Sequence, residues 1–124
     1  MAKRIMIVGL RPDLVEGFRA QLNLPGVELL AGGTPDDVHA ALAETDIDHV
    51  FLGGGLALAD RLAAVTAVFS ASDRATVHMK DHLSGPEGFV PFVRAVLSGL
   101  DQYEPVLSPN AVLHADRSDK NKPQ

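Results

Sequence analysis

The chain has 124 residues, enough for one domain with a real core, and its 46% hydrophobic and 22% charged residues are an ordinary globular balance. A formal net charge of -5, with only 11 Lys and Arg spread along the chain, argues against a nucleic-acid partner, because neutralising phosphates needs a basic face. There is no cysteine, which rules out disulfides and thiolate metal sites, and no stretch approaches the roughly 18 apolar residues of a membrane span.

The opening "MAKRIMIVGL" sets basic residues before an apolar run. That run, residues 5–8, closes at Gly9 and is too short for the core of a signal peptide. It reads as a first strand buried on both faces, and the chain is expected to be cytoplasmic. Pro12 and Asp13 suit the first turn of a helix whose apolar face is Leu14, Val15, Phe18 and Leu22. Pro25 and Gly26 stop it. A second strand follows at 27–30, closed by Gly32 and Gly33. "TPDD" is a strong helix start: Thr34 as cap, Pro35 first, Asp36 and Asp37 in the first turn. Val38, Ala41 and Leu42 are the inward stripe of that helix.

"DIDHVFLGGG" supplies a third strand ending in Gly53, Gly54 and Gly55. A third helix follows, with Leu58, Leu62, Val65 and Phe69 at helical spacing and alanines between them. "ATVHMKD" is a fourth strand, shorter and more polar, as expected near a sheet edge. "SGPE" offers a capping pair, Ser84 with Glu87. Phe89, Phe92, Val93, Val96, Leu97 and Leu100 then form the longest apolar stripe. Pro91 lies within it, so the helix starts late or kinks there. From Glu104 the pattern stops. Residues 1–104 are read as one domain and 105–124 as a tail, partly disordered or docked on a partner through Val106, Leu107, Val112 and Leu113.

Strand and helix alternate four times. That pattern calls for a three-layer α/β fold, a four-stranded parallel sheet with helices on both faces. Ligands in such folds sit beyond the carboxyl ends of the strands, where strand order reverses. The residues brought there are at 9–13, 32–36, 53–55 and 78–84.

"RIMIVGLRPDLVEGFRAQL", "DIDHVFLGGG" and "ATVHMKDHLSGPEGFVPFVRAVLSGL" resemble the first strand and helix, the third strand, and the last strand and helix of a response-regulator receiver domain. The resemblance covers about 80 residues and implies a flavodoxin-like sheet, with Lys80 in the place of the family's lysine. It also marks departures. Gly9 and Leu10 stand where the family's acidic pair would fall, and Gly53 where its phosphoacceptor would fall. No hard oxygen ligand for Mg²⁺ is provided at those positions. The distance from Gly53 to Lys80 is one strand–helix unit too short. The resemblance therefore implies a receiver-like domain without phosphotransfer.

Three constellations remain. Gly53, Gly54 and Gly55 can turn backbone N–H groups toward an anion. Neither GxxxxGK[ST] nor GxGxxG is present, however, and the other reading is a turn in which glycine supplies positive φ and close packing. "HMKDHLSGP" gathers His78, Lys80, Asp81, His82 and Ser84. Its histidines and Asp81 are a weak metal set, because a strand-to-loop segment does not place i and i+4 together. Lys80 can serve as an anion clamp or a general acid, or the stretch is a polar rim. Arg11 adds a second cation near the same rim, or is a solvated residue before a helix. The candidate binding residues are thus Arg11, Gly53, Gly54, Gly55, His78, Lys80, Asp81 and Ser84, with no catalytic residue, metal or cofactor assigned. A homodimer or other protein partner is expected, covering a sheet edge or the last helix's stripe, with core packing of that stripe as the alternative. The functional expectation is a regulatory or interaction module that binds a small anion without turnover. The second reading is a small enzyme or nucleotide-binding protein using the crevice around Lys80.

Overall fold

The computed structural model describes residues 3–9, 11 and 15–106. The chain divides into two compact units, Met1–Phe92 and Val93–Gln124. The expected roles of Pro12, Asp13 and Leu14, and of the tail past Val106, lie outside the described residues.

In the first unit, β1 (Lys3–Val8), β2 (Val27–Gly32), β3 (His49–Leu52) and β4 (Thr76–Met79) form one all-parallel sheet in the order β2-β1-β3-β4. The continuous apolar runs are the two central strands, as burial on both faces requires: residues 5–8 and 49–52 are all buried. β4 is an edge strand, as its polarity suggests.

The helices are α1 (Val15–Leu22), α2 (Pro35–Glu44) and α3 (Leu58–Ala71), with a 3₁₀ turn at Pro86–Gly88 leading into α4 (Phe89–Val106). Met6, Val8, Val50 and Leu52 pack in one cluster with Val38 of α2 and Ala64, Ala67 and Val68 of α3. On the opposite face, Phe51 meets Phe92 edge-on at 5.9 Å between centroids, and Phe18 of α1 meets Phe89 at 5.0 Å. The three-layer parallel α/β fold expected from the alternation is therefore present. Phe89 is buried in the first unit and Phe92 is half-buried there. In the second unit α4 continues from Val93, with Val93 and Leu97 buried.

Local chemistry explains the helix ends. Thr34 and Asp37 close a reciprocal capping box: the Asp37 N–H donates to Thr34 Oγ1 at 3.1 Å, and the Thr34 N–H donates to Asp37 Oδ2 at 3.1 Å. The N–H of Gly33 adds a 2.7 Å bond to the same carboxylate, and this bond is the main cause holding Asp37 below the usual carboxylate value. Pro91 falls in the first turn of α4, where its missing N–H interrupts no helical bond, so the helix starts late.

Two local expectations are corrected. Ser84 does not cap the last helix with Glu87. Gly85 stands at the cap position without a side-chain bond, and Ser84 turns back to Asp81 instead. Of the expected stripe of α3 only Val65 packs against the core: Leu58, Leu62 and Phe69 are 61%, 54% and 55% exposed. The inward face is Ala64, Ala67 and Val68, small residues that let α3 lie close to α2 and the sheet.

His49, Thr76 and His78 form a chain across β3 and β4. Thr76 Oγ1 lies 2.6 Å from His49 Nδ1 and 2.8 Å from His78 Nε2. A hydroxyl has one proton, so a ring that accepts it must be unprotonated at that nitrogen. His78 also stacks on Phe51 at 5.1 Å, and burial lowers its pKa from the ordinary 6.5. The unfolded chain then binds more protons than the fold just below that value, so stability present above about pH 6.5 falls as the pH drops through the lower folded value. Urea denaturation of wild type is expected to show this loss as the pH falls below about 6.5, and His78→Phe to flatten it. Equal slopes in the two proteins would contradict the assignment.

Candidate functional site

β1 connects to β2 on one side, and the chain then returns past β1 to β3. Strand order therefore reverses between the two central strands, and in parallel sheets this is where a crevice opens at the carboxyl ends. A cavity of about 520 Å³ lies there, in the range of small-ligand sites. Its walls come from Gly9 at the end of β1, Gly53, Gly54 and Gly55 after β3, and Lys80 and His82 after β4. Arg11 stands at its rim, and Phe18, Pro86 and Phe89 give it an apolar side.

Of the candidate residues, Arg11, Gly53, Gly54, Gly55 and Lys80 are brought together. His78, Asp81 and Ser84 do not line the cavity. His78 lies further down β4, held by Thr76 and Phe51. Asp81 and Ser84 bind each other: the Ser84 hydroxyl donates to Asp81 Oδ1 at 2.8 Å and the Ser84 N–H to Oδ2 at 2.9 Å. That hydroxyl is the main cause keeping the Asp81 carboxyl below its ordinary value. The pair shapes the turn that carries Lys80 and His82.

The glycine junction is now explicit. The N–H of Gly53 continues the ladder, donating to the carbonyl of Val8 at 2.8 Å, and is not available to a ligand. Among the described residues, no protein acceptor takes the N–H of Gly54 or Gly55. Neither Gly53 nor Gly54 has a positive φ, so the turn does not need glycine for that reason. Gly54 is needed for close approach. A Cβ there would stand 2.6 Å from the carbonyl oxygen of Asp81 and 3.1 Å from His82 Cα. The carbonyl of Gly54 in turn lies 3.0 Å from His82 Nδ1. A carbonyl only accepts, so Nδ1 carries the proton in this contact.

Lys80 is the buried cation of the site, 4% exposed. Its N–H extends β4 to the carbonyl of Leu52 at 3.0 Å, and its Nζ donates to the carbonyl of Asp81 at 3.0 Å. An ammonium has three protons, so further donor capacity remains at the cavity wall. Among the described lining residues there is no carboxylate, although the chain as a whole has net charge -5. His78, Asp81 and His82 are tied to separate partners, and among the described residues no group of His, Asp and Glu could hold a metal ion.

Gly9 and His82, which the sequence places at the strand ends with His82 as a weak metal-ligand candidate, line the cavity, and so do Phe18 and Phe89, which the sequence does not single out as ligand contacts. The two phenylalanines occupy apolar stripes there and so read as core. No protein family, curated protein or solved structure matches the chain. Fold and cavity define it as a parallel α/β domain with a cationic, glycine-walled crevice at the strand ends. Among the described residues, no helix is long and apolar enough to cross a membrane.

Proposed function

We propose that the protein is a cytoplasmic, non-enzymatic regulatory module of receiver-like pattern that holds a small anion in the strand-end cavity and acts through contacts with a second copy of itself. The observation carrying this reading is the cavity wall. Buried Lys80, Arg11, Gly54 and Gly55, the two glycines with N–H groups that no described protein acceptor takes, meet there without a carboxylate among the described lining residues. Backbone donors and cations in a partly desolvated crevice favour an anion. The order β2-β1-β3-β4 agrees with the leading strands of the flavodoxin-like order and supports the receiver-like reading. Gly53, at the phosphoacceptor position of that pattern, has no side chain to phosphorylate, so the module responds to occupancy of the cavity.

The binding half is tested by thermal denaturation of wild type and Lys80→Ala with inorganic phosphate and small carboxylates. Stabilisation of wild type alone supports the reading, and no shift in either protein opposes it.

The contact half rests on α3. Leu58, Leu62 and Phe69 expose an uncharged apolar stripe, and Met79 and Leu83 add exposed apolar surface at and beyond the end of β4. A stripe without charge can meet its own copy across a two-fold axis, the commonest oligomer symmetry. Wild type is expected to sediment as a dimer, and Leu62→Glu as a monomer with its fold intact, because Leu62 lies on the outer face. A wild type that stays monomeric at high concentration would remove this half of the reading.

A further inference from the structure

The same cavity says more about what it takes. A free phosphate is only a few times the size of a water molecule, whose share of liquid volume is about 30 Å³, so it leaves most of the roughly 520 Å³ unfilled. The remaining space is not polar. Ile7, Val8, Phe18, Pro86 and Phe89 line it together with Lys80 and the glycines. Phe18 is only half-buried, and its ring leans on Phe89 at 37°, with centroids 5.0 Å apart. A partly open aromatic pair beside a cationic rim is a surface for a ring or a branched chain that carries an anionic head.

Resting on the anion-binding reading above, we infer that the ligand is an amphipathic anion: a carboxylate or phosphate head held by Lys80, Arg11 and the N–H groups of Gly54 and Gly55, on an aromatic or branched apolar body laid against Phe18 and Phe89. The head supplies orientation, since the donors are few and fixed. The body supplies most of the buried apolar area, and with it most of the affinity. Neutral aromatics lack the first contribution and inorganic anions the second.

The test is calorimetric titration of the full chain with inorganic phosphate, phenyl phosphate, phenylacetate and benzyl alcohol. Phenyl phosphate or phenylacetate is expected to bind at least about tenfold more tightly than inorganic phosphate, and benzyl alcohol at least about tenfold more weakly than the better aromatic anion. Whichever aromatic anion is the tighter identifies the head. Phe18→Ala is expected to weaken the aromatic anions while leaving inorganic phosphate unchanged. Phe18→Leu, which keeps an apolar side chain there, covers the case in which the alanine variant fails to fold, and it is expected to weaken them less. If inorganic phosphate binds as tightly as phenyl phosphate, this inference is overturned while the anion-binding reading stands. If none of the four binds, both are overturned.

Discussion

Replacing Lys80 with alanine is expected to lower affinity for an anionic ligand by about 10- to 100-fold, the equivalent of losing one or two charge-assisted hydrogen bonds in a partly open crevice. The side chain is 4% exposed, and its one fixed bond, to the Asp81 carbonyl, leaves protons of the ammonium directed elsewhere. The same change is expected to leave the unliganded fold as stable as wild type or more so. Burying a cation is unfavourable, and the exposed Asp81 carboxylate, bound by Ser84, supplies only a weak attraction to it, so removing the cation relieves that cost. The two effects therefore have different signs, which separates a binding role from a structural one. Lys80→Met keeps the apolar stem and removes only the charge, so it should lose affinity as the alanine variant does. Arginine is not a conservative replacement, because Lys80 Cε already lies 3.4 Å from where a Cβ on Gly88 would stand. A Lys80→Ala protein that binds normally but unfolds readily would assign the lysine to the fold.

Gly54→Ala is the change with the largest expected effect on the site's architecture. The added Cβ would lie 2.6 Å from the Asp81 carbonyl oxygen and 3.1 Å from both Asp81 C and His82 Cα, all of them backbone atoms that cannot swing away. The strand-end loops must separate, at a cost of about 1–3 kcal/mol, typical of overpacking. The loop that moves carries Lys80 and His82, so affinity should fall together with stability. Gly9→Ala is the matched control. Nothing lies within 4 Å of a Cβ there and its φ is not positive, so stability should stay within about 0.5 kcal/mol of wild type. Urea denaturation of the two variants gives the comparison directly. Equal stabilities would mean that the junction gives way more easily than its geometry implies.

The parts of this structure that were legible in the sequence are those governed by local rules. Apolar runs at 5–8 and 50–52 can only be central strands, and the polarity of "ATVHMKD" places it at an edge. Thr34, Pro35 and Asp37 specify a helix start by hydrogen bonding within four residues. The misreadings share a different cause. Helical spacing of Leu58, Leu62 and Phe69 shows a face but not which way it turns, and close packing against α2 and the sheet selected the alanine side. Ser84 had two carboxylates within reach, Glu87 ahead and Asp81 behind, and only the three-dimensional turn decided between them. His78 and Lys80 are two residues apart, but the first is covered by Phe51 and the second emerges past the strand end, so only one meets the cavity. Phe18 and Phe89 read as core because periodicity does not distinguish a buried ring from one that also walls a crevice.

The central claim is that the crevice between the ends of β1 and β3 binds an anion through Lys80 and the glycine junction. Its most direct test is a ¹⁵N–¹H spectrum of wild type titrated with phenyl phosphate, repeated on Lys80→Met. The account predicts saturable shifts of the Gly54, Gly55 and Lys80 amides in wild type and none at the same concentrations in the variant. Shifts confined to the α3 surface, or identical titrations of the two proteins, would contradict it.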